Sequence, residues 1–166
     1  LPLDETVSQI WNDWKAQDPV QRRGVVMLEA GVMQVEFDTE HLRRVLVNLL
    51  DNALRYVGQE PDSLCVTTRV APSGQISLQV WSDGAPMDKS VERHLFEPFF
   101  SSESRSSGLG LYICRELCQR HGASISYQRL TRTTLRGEVG GNAFTVGFRR
   151  TTRPAETATL FDTIVV

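Results

Sequence analysis

Apolar residues open the chain at helical spacing. Val7, Ile10, Trp11 and Trp14 recur at three- and four-residue steps, which predicts a short amphipathic helix over residues 4–17. The runs 24–30 and 32–37 then read as two strands around Gly31, a hairpin. From 39 to 57 the period returns to that of a helix, with Leu42, Val45, Leu46, Leu49, Leu50 and Ala53 on one face. Asp38 or Thr39 can cap its start and Gly58 can end it. Two alternating runs follow, 64–70 and 75–81, separated by the turn Pro72-Ser73-Gly74. A loop covers 82–86 and a short helix 89–95. The stretch 101–107 is polar without a period and is expected to be mobile. A further helix is predicted over 108–121, with Leu111, Cys114, Leu117 and Cys118 on one side. Three strand-like runs close the pattern, 124–130, 134–138 and 142–149.

Helices interleaved with hairpins predict an α/β fold, a two-layer sandwich whose mixed, mostly antiparallel sheet carries helices on one face. Residues 1–150 are expected to form one domain. Beyond them, 151–166 turns to Thr, Arg, Pro and Ala and reads as a C-terminal tail, apolar and β-prone in its last seven residues.

Composition narrows the function classes. A formal charge of −2 gives no electrostatic footprint for nucleic acid, and no block of lysine or arginine points to a membrane surface. Cys65, Cys114 and Cys118 make neither a disulfide framework nor a zinc spacing, so they are read as small buried residues in a reducing cytosol. No apolar run reaches the roughly 20 residues that cross a bilayer. The chain begins with Leu1, and it is read as a piece of something longer.

Three polar groups carry candidate chemistry. Asn48, Asn52 and Arg55 stand four and three apart, so they share a face of the long helix, with Tyr56 at its edge. A solvated surface is the plainer reading. Asparagine is nevertheless a poor filler for an exposed helix, because its side chain competes with the backbone. An amide oxygen suits magnesium, which takes oxygen ligands together with phosphates. A guanidinium suits phosphate oxygens, and a tyrosine ring can pack on a base. The second group is Ser106-Ser107-Gly108-Leu109-Gly110-Leu111, preceded by Arg105. Glycines entering a helix let backbone amides approach an anion, and the polar stretch before them would close over phosphates. The third is Ser82-Asp83-Gly84 at a strand end, where a carboxylate could accept from an adenine amino group; an ordinary turn explains it as well.

Together these residues resemble a known family. Asn48-Leu49-Leu50-Asp51-Asn52-Ala53-Leu54-Arg55-Tyr56 is similar to the N box of histidine kinases, and Ser82 to Met87 to their first glycine box. Phe96-Glu97-Pro98-Phe99-Phe100 resembles the F box, and Gly108-Leu109-Gly110-Leu111 the second glycine box. Within that family, the stretch from Gly108 to Tyr127 resembles sensors of the nitrogen-regulatory and type IV pilus kind. The resemblance implies a Bergerat-type ATP-binding fold, shared with gyrase, Hsp90 and MutL. It implies ATP and Mg2+ as ligands, with Asn52 on the metal, Asn48 beside metal and phosphates, and Arg55 on phosphate. Tyr56, Ser82, Asp83, Gly84 and Met87 would surround adenine, while Arg105, Ser107, Gly108, Leu109, Gly110 and Leu111 would line the triphosphate. Phe96, Phe99 and Phe100 would pack at the hinge of the closing segment.

The sequence departs from the pattern at three points. Ser82 holds the place of the adenine-reading aspartate, so either Asp83 substitutes through a shifted loop or Ser82 meets the base by its hydroxyl or a water. Pro86 and Ser106 replace glycines. In the gyrase and Hsp90 branches the Asn48 position carries a glutamate that activates water; an amide cannot act as that base. The resemblance thus implies a kinase that transfers the γ-phosphate to a histidine, not a fast ATPase. None of His41, His94 and His121 sits in an acceptor context, so the acceptor is expected on a dimerisation helix outside this chain, with a response regulator downstream. The fragment is expected to be monomeric and cytosolic, part of a membrane-anchored homodimeric sensor. The alternative is a degenerate module that regulates a partner without kinase activity.

Overall fold

The computed structural model describes residues 1–55, 57–58, 60–99 and 109–149. Nine elements run in the order α1 (Leu3–Ala16), β1 (Val25–Leu28), α2 (Thr39–Leu54), β2 (Leu64–Val70), β3 (Ile76–Ser82), α3 (Lys89–Glu92), α4 (Gly110–Arg120), β4 (Ser124–Thr134) and β5 (Gly137–Phe148). The strands form one sheet in the order β1-β2-β3-β5-β4, and only the β1–β2 pair is parallel. The expected mixed, mostly antiparallel sandwich is what the chain builds.

Alternation assigns the two faces of the sheet. Ile76, Leu78 and Val80 of β3 lie opposite Phe148, Val146 and Phe144 of β5, and all six join the main core with α1, α2 and α4. On the other face Cys65, Trp81 and Ala143 form a second, smaller cluster. Gly141 makes that cluster possible: a Cβ there would meet the Trp81 ring at 2.4 Å and the Ser82 carbonyl oxygen at 2.4 Å. The Trp81 indole N–H donates to the Leu130 carbonyl at 2.8 Å, which satisfies its polar edge inside the cluster.

α2 is the central helix because its apolar face is continuous. Leu42, Val45, Leu46, Leu49, Leu50 and Ala53 are all buried, and the Asp38 carboxylate caps its N-terminus by accepting from the His41 N–H. α1 covers one flank. The Trp14 indole donates to Asp51 at 2.9 Å, and Arg43 pairs with Asp13 at 3.0 Å.

The structure corrects four expectations. Residues 32–37 do not form a hairpin with β1. The chain does turn at Gly31 (φ 65°), but the amides of Ala30 and Gly31 are taken by the Asp4 carboxylate. Met33 and Val35 bond instead to the N-terminal residues Leu1 and Leu3, which leaves β1 to pair with β2. The run 134–138 is not a separate strand: β4 ends at Thr134, residues 135–136 turn, and β5 begins at Gly137, whose φ is 92°. Two long strands therefore replace three short ones. α3 is a single turn, and the described residues 55, 57, 109 and 121, predicted in α2 and α4, are not helical. The mobile stretch expected over 101–107 and the tail 151–166 lie outside the described residues.

Candidate functional site

Helix geometry places His41, Val45, Asn48 and Asn52 on one stripe of α2, at steps of four, three and four. That stripe faces α4. His41 Nδ1 lies 2.8 Å from His121 Nε2, the Cys114 thiol donates to the Val45 carbonyl at 3.6 Å, and the Asn48 amide reaches the same thiol. Moving seven residues along α2, from 41 to 48, moves the contact seven residues back along α4, from 121 to 114. The helices are therefore antiparallel. Four further residues bring Asn52 level with Gly110, the first residue of α4.

The two ends of this helix pair differ in what satisfies them. At the α2 N-terminus the His41–His121 bond, the Phe37 ring stacked 4.4 Å from His121 and the Asp38 cap close the contact. Burial, and then the neighbouring His41, hold His121 below the usual histidine range. In the middle, burial pushes the Cys114 thiol up to about 12, more than the Asn48 amide offsets, so the cysteine stays a neutral core group. Cys65 and Cys118 are likewise buried and free, as expected. At the other end Asn52 is half-buried and Arg55 exposed, and among the described residues neither side chain has a hydrogen-bond partner. α4 begins there with no side-chain cap from Leu109, its N-cap residue.

The end of β3 belongs to the same corner. The Gly58 N–H, just past α2, donates to Asp83 at 2.8 Å, which fastens the C-terminal end of α2 to the C-terminal end of β3. Asp83 also accepts from the Ser63 hydroxyl at 2.6 Å and from Arg136 at 2.9 Å. Burial alone would raise this carboxyl; the bonds from Ser63, Gly58 and Arg136 outweigh it and hold it below the usual range. Its side chain is committed on the face away from the helices. Ser82 takes the opposite face. It pairs with Leu64 and Asn142 on the side of Val80, and it is 5% exposed with no partner for its hydroxyl among the described residues. Of the two residues the sequence offers here, Asp83 is bonded within the chain and Ser82 has no hydroxyl partner among the described residues.

Sequence reasoning missed a polar floor beneath the first glycine box. Arg129 donates to the Gly84 carbonyl at 2.6 Å and to Asn142 Oδ1 at 3.2 Å, the Tyr127 hydroxyl donates to the same oxygen, and Asn142 donates to the Ala85 carbonyl at 3.0 Å. These residues come from β4 and β5, and only the strand register shows that they stand beside Ser82. Gly84 is buried on this support, and Met87 packs half-buried against the main core. Leu109, Gly110 and Leu111 are half-buried at the start of α4, with Leu111 against the core. Phe96 stacks edge-on against Phe144, whereas Phe99 is 78% exposed with φ 63°. Tyr56, Phe100, Arg105, Ser106, Ser107 and Gly108 lie outside the described residues.

Among the described residues no three His, Cys, Asp or Glu side chains could hold a metal ion. Asn52, half-buried and without a hydrogen-bond partner among the described residues, offers an amide oxygen of the kind that magnesium takes.

Residues 37–152 match the family described as histidine kinase-, DNA gyrase B-, and HSP90-like ATPase. The sensor protein kinase PilS of Pseudomonas aeruginosa is 37% identical over 126 residues, 74% of this chain and 22% of its own length. The chain thus spans about a fifth of that curated relative. Among solved structures, the nucleotide-free catalytic domain of histidine kinase ThkA superposes with a TM-score of 0.74 at 22% identity, covering 90% of this chain and 93% of that one. Full-length ShkA in complex with AMPPNP gives 0.69 at 18% identity, over 93% of this chain and 32% of that one. With the matched segment covering α2 to β5, the chain belongs to the histidine kinase-, DNA gyrase B- and HSP90-like ATPase family.

Proposed function

We propose that this chain binds magnesium-ATP at the corner where α2, α4 and the end of β3 meet, and that it is the catalytic domain of a sensor histidine kinase. One observation carries the reading: Asn52 and Arg55, without hydrogen-bond partners among the described residues, lie at the end of α2 that the antiparallel pairing brings level with the start of α4. Oriented amides at a helix start favour an anion, and a guanidinium beside them favours a phosphate. Asn52 Oδ1 would hold magnesium, which supplies positive charge against the phosphate oxygens when bound. Asn48 flanks it, and Arg55 takes phosphate. Leu109, Gly110 and Leu111 present backbone to the triphosphate, and Tyr56, Arg105, Ser107 and Gly108 are assigned to the same ligand from the sequence. Ser82, Gly84 and Met87 line the base end.

In this reading a histidine nitrogen on a dimerisation helix outside the chain attacks the γ-phosphorus in line. The bond from that phosphorus to the β-phosphate oxygen breaks, and ADP leaves with the electron pair. Asn48 contributes by what it cannot do: an amide takes no proton from water, so hydrolysis stays slow and the phosphoryl group is kept for the histidine. The similarity to PilS supports a membrane sensor of two-component signalling as the whole protein, with residues 1–150 as its ATP-binding domain and 151–166 as a tail. A response-regulator receiver domain would then take the phosphoryl group.

A second reading, a regulatory module that has lost nucleotide binding, draws on Asp83, whose carboxylate is taken by Gly58, Ser63 and Arg136. Calorimetric titration with magnesium and AMPPNP separates the two. Saturable binding that disappears in Asn52→Ala is expected. No binding up to millimolar ligand would favour the regulatory module.

A further inference from the structure

The base end of the corner has an unusual donor inventory. Ser82 and Asn142 are register partners on the helix-facing side of the sheet, 5% and 6% exposed. The orientation of the Asn142 amide follows from its neighbours: Arg129 and Tyr127 both donate to its oxygen, so its nitrogen faces the Ala85 carbonyl. One amide proton is spent there, and the second has no partner among the described residues. The Ser82 hydroxyl can donate or accept and does neither among the described residues. The nearest carboxylate, Asp83, points to the opposite face and is bonded by Gly58, Ser63 and Arg136. Among the described side chains, the floor therefore offers a hydroxyl of either role and an amide donor, and its adjacent carboxylate is already bonded.

Purines are told apart at position 6, where adenine carries an amino donor and hypoxanthine or guanine a carbonyl acceptor. An ionised carboxylate only accepts, so it selects the amino group and repels the carbonyl. A hydroxyl that turns to suit its partner meets both. We infer that Ser82, with Asn142 beside it, leaves this site unable to discriminate adenine from 6-oxopurine nucleotides. The inference rests on the nucleotide-binding reading above and adds a specificity determinant to it. Discrimination between the two bases then falls to at most one neutral hydrogen bond, about fivefold in affinity.

The test is titration of the whole chain with magnesium-ADP and with magnesium-IDP, which differ at position 6 and lack a transferable γ-phosphate. Dissociation constants within about fivefold of each other are expected. Ser82→Asp is expected to shift the ratio at least tenfold towards ADP. Ser82→Ala, which puts no charge at a buried position, is expected to weaken both ligands alike and keep the ratio. A wild-type preference for ADP above about 50-fold would overturn the inference while leaving nucleotide binding intact. So would a ratio unmoved in a folded Ser82→Asp chain that still binds. Binding of neither diphosphate would remove the nucleotide-binding reading itself, and this inference with it.

Discussion

The two ends of the α2–α4 pair share one stripe of residues yet are finished in opposite ways. At the His41 end three contacts are made by protein: imidazole to imidazole, the helix start to Asp38, the ring of His121 to Phe37. At the Asn52 end the side chains of Asn52 and Arg55 have no hydrogen-bond partner among the described residues, and α4 starts with no side-chain cap from Leu109. Half-buried polar groups are normally paired, and the proposed nucleotide would supply the partner that Asn52 lacks among the described residues. One end fixes the helices so that the other can be held ready. Preorganised donors of this kind cost little reorganisation when an anion binds.

Four substitutions can break or sharpen that contrast. Leu49→Ala, in the fully buried face that both ends depend on, is expected to cost ~2–5 kcal/mol in a urea unfolding curve. It should damage both ends alike; a loss of nucleotide affinity with unchanged stability would instead place Leu49 in the site. Asn52→Ala is expected to lower magnesium-dependent affinity on the order of 100-fold, about 2.7 kcal/mol, with little change in melting temperature. If magnesium-dependent affinity survives, the metal is held elsewhere.

The closed end should answer to pH instead. The native state holds His121 below the usual histidine value, so at mildly acid pH the unfolded chain binds the proton more readily. The corresponding stability is present above about pH 6.5 and is lost as pH falls through the lowered native value. His121→Gln is expected to flatten the dependence of the unfolding midpoint on pH between about 7 and 5, and to change affinity at pH 7.5 by less than about twofold. An undiminished slope would assign it to another group. The smallest effect is expected from Arg136→Ala, whose exposed guanidinium pairs with Asp83 and Asp62: a small fall in melting temperature and no change in affinity.

Much of this was legible in the chain because period and spacing are local properties. The apolar face of α2 and the stripe of Asn48 and Asn52 follow from steps of three and four, and β2 and β3 from alternation between turn residues. What escaped depends on distant partners. Residues 32–37 look like a strand, but Asp4 and the N-terminal backbone claim their neighbourhood. Thr134 to Glu138 is β-prone, yet residues 135–136 turn the chain within it. Ser82 and Asp83 could not be told apart by sequence, since a one-residue shift decides which faces the helices, and only the register with Leu64 and Asn142 settles it. Arg129 and Asn142 carried no motif at all; their role beneath Gly84 is a product of strand pairing.

Hydrogen exchange followed by mass spectrometry, with and without magnesium-AMPPNP, tests the contrast most directly. Protection is predicted in peptides covering 48–58 and 109–113, with little change in 38–45 and 117–121. Protection confined to the His41 end, or spread equally over both, would contradict it.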